Sequence, residues 1–84
     1  MQVKEAVQQA SRYLPDVFAS AAGRELQLEG VEKTEDSRFW TITFSYTMGD
    51  SGWEADSRDY KTVKLRDSDG ELMGARNGML LGKM

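Results

Sequence analysis

A run of alternating residues between positions 39 and 48 constrains the fold more than any other feature. Large apolar side chains alternate there with small hydroxyl residues: Trp40, Ile42, Phe44, Tyr46 and Met48 against Thr41, Thr43, Ser45 and Thr47. A period of two in β-branched and aromatic residues predicts a strand with one buried face. We expect this strand to be central in a sheet and to pack against a helix.

The first segment of the chain has the spacing of an amphipathic helix. Its apolar residues are separated by steps of three and four, with Phe18 alongside: Val3, Val7, Ala10, Leu14, Val17 and Ala21. These steps place one apolar stripe on a helix. Pro15 removes a backbone donor, so we expect a kink or break near it, and Gly23 should end the helix.

Three further strands are predicted. Leu26, Leu28 and Val31 change parity around Gly30, which indicates a bulge or bend. Residues 59–66 and 71–76 form a hairpin around Asp67-Ser68-Asp69-Gly70, in which Leu65 should pair with Leu72 and Val63 with Gly74. After Asn77-Gly78, residues 79–81 could add a short fifth strand. The expectation is one α+β domain over residues 1–84, with an N-terminal helix on a four-stranded antiparallel sheet.

Composition excludes several kinds of chemistry. The 84 residues include no cysteine and no histidine, and the formal net charge is −3. Disulfides and thiolate metal sites are therefore excluded, and no basic surface typical of nucleic-acid binding is indicated. No apolar run is long enough to span a bilayer, and the first residues lack a signal core, so we expect a cytoplasmic protein without membrane contact. We also expect no cofactor.

The hairpin residues resemble a known family. Tyr60, Val63 and Leu65 are followed by Asp69-Gly70-Glu71-Leu72, and together with the aromatic strand from Phe39 they are similar to the small PepSY-like domains of bacteria. The resemblance implies a helix followed by an antiparallel sheet and, in some members, restraint of peptidases. It implies no catalytic residues. Most members are secreted or membrane-tethered, which differs from the expectation for this chain.

The acidic clusters do not predict a catalytic or metal site. A calcium loop that began at Asp67 would need a glutamate at its twelfth position, which is Gly78, so a plain turn is favoured. Carboxylates within either of two acidic clusters could in principle pair for acid–base chemistry. The first cluster contains Glu29, Glu32, Glu35 and Asp36, and the second contains Asp50, Glu54, Asp56 and Asp59. Both are typical of a solvated surface. The serines lack a histidine base, and Lys61 and Lys64 should point to opposite faces.

Two places could contact a partner. Trp53 stands in an acidic loop, where it could fold over the core as a lid or anchor a partner. Phe39, Tyr60 and Met73, together with Ala75, are predicted on the outward face of the sheet, either as a contact surface or as scattered exposed residues.

We therefore expect a non-enzymatic binding or regulatory module that acts through its sheet face, an edge strand or the Trp53 loop. Its partner would be another protein or, since edge strands pair readily, a second copy of the chain. The alternatives are a small carboxylate-dependent enzyme, and an accessory subunit or inhibitor of another enzyme.

Overall fold

The computed structural model describes residues 1–47 and 58–78 and shows one helix packed on a four-stranded antiparallel sheet. Helix α1 spans Val3–Val17, and a single 3₁₀ turn follows at Ala19–Ala21. The strands are β1 (Gln27–Lys33), β2 (Phe39–Thr47), β3 (Arg58–Arg66) and β4 (Leu72–Asn77). They lie in sequence order, β1-β2-β3-β4, and each pair is antiparallel. The predicted α+β arrangement is confirmed.

The core lies between α1 and one face of the sheet. As predicted, the apolar side of β2 is buried there: Trp40, Ile42, Phe44 and Tyr46. Val63 and Leu65 of β3 join them without exposed surface. Met48, the last residue of the predicted alternating stripe, lies outside the described residues.

The buried face of α1 differs from the predicted stripe. Its fully buried residues are Ala6, Ala10 and Leu14, whereas Val3 and Val17 are 51% and 40% exposed. A line of three- and four-residue steps drifts by about 20° per heptad around a straight helix. Val3 and Val17, near the two ends of the helix, therefore turn away from the sheet, whereas Ala21, the last member of the predicted stripe, is buried in the 3₁₀ turn.

The helix continues through Pro15 and is interrupted only after Val17. Pro15 removes a single helical hydrogen bond in the last turn, and the Phe18 N–H still donates to the Leu14 carbonyl at 2.8 Å. Phe18 then adopts an extended conformation, and Gly23 has φ +77° beyond the 3₁₀ turn. The interruption predicted near Pro15 thus falls at Phe18, and the helix ends before Gly23.

A bulge interrupts the pairing of β1 with β2. Leu28 is opposite Phe44 and Gly30 is opposite Thr43, so Glu29 is the extra residue. This confirms the bulge predicted from the parity change at Gly30. A turn at Glu35-Asp36-Ser37 joins β1 to β2, with Ser37 at φ +63°.

A second bulge makes part of the predicted β3–β4 register wrong. Leu65 pairs with Leu72 as expected, but Val63 pairs with Ala75 and Lys64 with Gly74, because Met73 is an extra residue in β4. Ala75 therefore occupies a register position on the helix side of the sheet, not on the outward face. The possible fifth strand at residues 79–81 lies outside the described residues.

The hairpin turn between β3 and β4 is held by charged residues. Gly70 has φ +74°, as its place in the turn requires, and Arg66 exchanges backbone contacts with Gly70 and Glu71. The Arg66 guanidinium contacts both carboxylate oxygens of Asp69, at 3.1 and 2.7 Å, and Oε1 of Glu71 at 2.6 Å. The Asp67–Gly70 segment is a turn, as the sequence predicted.

Candidate functional site on the open face of the sheet

Helix α1 covers one face of the sheet, and no described element covers the other face, which we call the open face. The strand register assigns the residues of β2 and β3 that point to it: Phe39, Thr41, Thr43, Ser45 and Thr47 from β2, and Arg58, Tyr60, Thr62, Lys64 and Arg66 from β3. Hydroxyl residues thus form the centre of the open face, and longer side chains surround them.

At one end of the open face, Ser45 is enclosed by a polar network. The side chain of Ser45 is 0% exposed, and its hydroxyl donates to Oε2 of Glu29 at 2.5 Å. The guanidinium of Arg58 donates to the same hydroxyl oxygen at 3.0 and 2.9 Å and reaches Oε1 of Gln27 at 3.2 Å. The bulge at Glu29 thus supplies the carboxylate that completes this network.

The middle of the open face is a pair of threonines. The hydroxyls of Thr43 and Thr62 lie 2.8 Å apart, and the Thr62 hydroxyl also donates to the Gly78 carbonyl at 2.8 Å. Both threonines are buried, and the described part of the chain contains no buried side-chain polar atom without a partner. These hydroxyls therefore have a structural role, because each already has a hydrogen-bond partner within the sheet.

The residues predicted as an apolar contact surface do not form a continuous patch. Phe39 is opposite Arg66, and Tyr60 is opposite Ser45, six residues further along β2. At about 3.4 Å per residue, the two aromatic residues are separated by about 20 Å. Met73 is 44% exposed and borders a different feature, described next. Trp53, the other predicted contact residue, lies outside the described residues.

A shallow depression of about 430 Å³ lies on the open face between β2, β3 and β4. Its lining residues include Thr41, Thr62, Lys64, Met73, Gly74 and Arg76. Lys64 and Arg76 contribute two positive charges, and the ammonium group of Lys64 lies 4.5 Å from the centre of the Phe39 ring. We call this feature the open-face depression.

Sequence reasoning placed Lys64 on this face but missed Arg76. Arg76 is opposite Thr62, on the open face, only because the Met73 bulge shifts the parity of β4. Without the bulge, Arg76 would be opposite Lys61 and on the helix side. The glycine after Met73 was the one local signal for this bulge, as Gly30 was for the bulge in β1.

Lys61 is a second charged residue whose environment was not predicted. Its side chain lies on the helix side of the sheet, opposite to that of Lys64 as expected, and the residue is 7% exposed. Its ammonium group contacts Oδ2 of Asp59 at 2.7 Å, bonds to Oδ1 of Asn77 and lies 4.9 Å from the centre of the Phe18 ring. The ammonium group therefore has partners within the protein, and we assign Lys61 a structural role.

Two acidic residues of the described chain, Asp36 and Asp69, stabilise turns. Oδ1 of Asp36 accepts bonds from the Thr34 hydroxyl at 2.6 Å and the Arg38 N–H at 3.1 Å, and these bonds lower the pKa of Asp36. The Arg66 guanidinium and the Glu71 N–H lower the pKa of Asp69 to about 2. Within residues 1–47 and 58–78, no group of three or more acidic residues is arranged to hold a metal ion.

Comparisons with known family models, curated proteins and solved structures found no match to this chain. The resemblance to PepSY-like domains therefore stays a prediction from the sequence. None of the helices in the described residues is long and apolar enough to cross a membrane.

Proposed function

We propose that this chain is a non-enzymatic binding or regulatory module that recognises a protein partner through the open face of its sheet. The observation that supports the proposal is the open-face depression, which combines two cationic side chains, Lys64 and Arg76, with the exposed Met73. Antiparallel sheets commonly leave one face in solvent, but that face is usually polar throughout. An exposed methionine beside two cations that have no ion-pair partner in residues 1–47 and 58–78 is more typical of a contact surface.

The edge strands are less suited to binding. Both edges of the sheet contain a bulge, at Glu29 in β1 and at Met73 in β4. Bulges interrupt the row of backbone groups that another strand would pair with, and natural proteins use them to protect sheet edges. Self-association through an edge strand, one of the two kinds of partnership that the sequence suggested, is therefore not the version that we favour.

For the alternative of a small carboxylate-dependent enzyme, Glu29 is the described carboxylate closest to a side-chain hydroxyl, at 2.5 Å. Its hydrogen-bonding partner, Ser45, has no exposed surface, and Arg58 occupies the remaining space at the hydroxyl oxygen. A substrate atom has to approach a nucleophile closely, and this geometry offers no approach. We retain the binding module as the proposal; its cytoplasmic location and its PepSY-like character are predictions that belong to it.

A capture experiment tests the proposal. The purified protein, a Tyr60→Ser/Met73→Ser variant and a control Lys4→Ser/Gln8→Ser variant, changed on the exposed side of α1, are used as baits in extracts of cells that naturally contain the protein. We expect one partner that binds the wild type and the control and is lost from the open-face variant, while thermal unfolding shows all three to be folded. A partner retained by all three folded proteins would show that Tyr60 and Met73 do not bind it, and would overturn the proposal if a folded Lys64→Gln/Arg76→Gln variant retained it too.

Trp53 enters the same experiment as a separate variant. If Trp53 anchors the partner, Trp53→Ala should weaken binding by about 2 kcal/mol, which is about thirtyfold in Kd, and leave the melting temperature unchanged. If Trp53 instead covers the core, the substitution should lower the melting temperature, and the loss of binding should follow unfolding.

A further inference from the structure

We propose that the open-face depression recognises two carboxylates of a short, extended acidic segment in a partner protein. This inference rests on the proposed function, because it names the chemistry of the partner at the same face. Three features support it: the two cationic side chains, the open space between them and the distance between them along the strands.

The charges of Lys64 and Arg76 are available to a ligand. Within residues 1–47 and 58–78, neither side chain has a carboxylate within ion-pair distance. The two other arginines of the face are already engaged: Arg66 with Asp69 and Glu71, and Arg58 with Ser45 and Gln27. Among the described cationic side chains of the open face, Lys64 and Arg76 are thus the two without an ion-pair or side-chain hydrogen-bond partner in those residues, and arginine in particular matches the two oxygens of a carboxylate.

The sheet surface between Lys64 and Arg76 leaves room for a peptide chain to lie close to it. A methyl group built on Gly74 would meet no atom within 4 Å, so the surface above β4 is open. The side chain of Met73 borders this space and is 44% exposed. A flexible thioether beside an open backbone surface can pack against the apolar or backbone atoms of a bound peptide.

The spacing of the cations matches that of an extended peptide. Lys64 is opposite Gly74, and Arg76 is two residues from Gly74 in β4. Diagonal neighbours of this kind on one face are separated by about 7–8 Å. Side chains two residues apart in an extended chain point the same way and are separated by about 7 Å. Two acidic residues separated by one other residue would therefore reach Lys64 and Arg76 together.

The remaining charges favour a short peptide over a long polyanion. The β1 side of the open face contains Glu32, whose register position is opposite Thr41, and the bulged Glu29. The whole chain has a net charge of −3. A nucleic acid that crossed the face would approach these carboxylates and be repelled, whereas an acidic pair seated between β3 and β4 needs only the two cations.

The test uses two blocked synthetic peptides at low salt: one with glutamate at every second position and a matched one with glutamine in the same places. In a two-dimensional NMR titration, the glutamate peptide should shift the amide signals of Thr62, Lys64, Gly74 and Arg76 until they saturate, and the glutamine peptide should not. Lys64→Gln and Arg76→Gln should each weaken binding by about fivefold. The control Lys4→Gln, which removes the same charge from α1, should change Kd by less than about twofold.

The inference would be overturned by equal binding of the two peptides, by an equal effect of Lys4→Gln, or by a single-stranded oligonucleotide that binds the same residues more tightly than the glutamate peptide. A concentration-dependent dimer that Lys64→Gln abolishes would identify a second copy as the occupant and would also overturn it.

The same variants separate failure of the inference from failure of the proposed function. If the native partner is lost from Tyr60→Ser/Met73→Ser but binds a Lys64→Gln/Arg76→Gln variant normally, the inference is wrong and the binding face stands. If the native partner binds both folded variants normally, the proposed function itself is wrong.

Discussion

The indole N–H of Trp40 donates a hydrogen bond to Oδ1 of Asp67 at 2.7 Å and so ties the core strand β2 to the start of the hairpin turn. The same carboxylate oxygen is 3.6 Å from Nζ of Lys33, which itself lies 5.2 Å from the centre of the Trp40 ring. The indole N–H is the largest cause, and Lys33 a further cause, of a lowered pKa at Asp67. A buried tryptophan thus has its one polar atom satisfied at the margin of the core.

The first prediction is that Trp40→Phe raises the pKa of Asp67 towards the ordinary value of an aspartate. The substitution removes the hydrogen bond that favours the ionised form, while Lys33 continues to lower the pKa in part. A carboxyl NMR titration of both proteins measures the change directly. An unchanged pKa of Asp67 in a folded variant would show that its charged neighbours, Lys33 among them, and not the indole, control this carboxylate.

The second prediction concerns acid stability. The pKa of Asp69 is about 2 in the folded protein, against the usual 3.8. Because the pKa of Asp69 is lower in the folded state, this carboxylate stabilises the protein at pH values above its unfolded-state pKa. The contribution is lost as the pH falls from about 4 towards 2. Asp69→Asn should therefore reduce the fall in melting temperature over that range. The control Glu25→Gln, at an exposed residue with no bonding partner among the described residues, should leave the fall as in the wild type.

Much of the fold could be predicted because its signals are local. The alternation around Phe44 identified the core strand, and the parity change at Gly30 identified a bulge that the structure confirms. The bulge at Met73 was missed because Leu72, Met73 and Ala75 are all apolar, so the pattern fits either parity. Its one local signal, Gly74, is not accompanied by a change of parity, so long-range packing decides the register there.

The candidate site could be predicted only in part, for the same reason. Lys64 follows from the alternation of β3, but Arg76 reaches the open face through the missed bulge. Lys61 could have been found, because it shares its parity with the buried Val63 and Leu65. Its parity indicates the side of the strand on which Lys61 lies. The partners that allow its charge to be buried, Asp59 and Asn77, come together only in the folded structure, so the sequence alone does not show them.

The third prediction is that Gly70→Ala destabilises the protein by about 1–2 kcal/mol, because φ is +74° at this position. The new methyl group would also lie 2.7 Å from the present position of Cε of Met1, although that flexible end can move. The matched control is Gly74→Ala, whose methyl group meets nothing within 4 Å and whose φ is not positive. Chemical denaturation compares the two variants; equal free energies of unfolding would contradict the backbone argument.

The fourth prediction is that Phe44→Ala reduces the free energy of unfolding by about 3–5 kcal/mol. Phe44 is 3% exposed and belongs to the core between α1 and the sheet. That loss is a large share of the total for a small domain, so the variant should be partly unfolded at physiological temperature. A soluble variant with an unchanged melting temperature would mean that the side of β2 assigned to the core is not buried.

The last prediction separates the charge of Lys61 from its packing. The aliphatic part of this side chain is buried on the helix side beside Phe18, and its ammonium group meets Asp59. Methionine keeps most of the packing and removes the cost of burying a charge, while Asp59 is exposed enough to be hydrated on its own. Lys61→Met should therefore lie within about 1 kcal/mol of the wild type, and Lys61→Ala about 1–2 kcal/mol below Lys61→Met. If both variants lose the same large free energy of unfolding, the ion pair with Asp59 stabilises this end of the sheet, and the packing of the lysine contributes little.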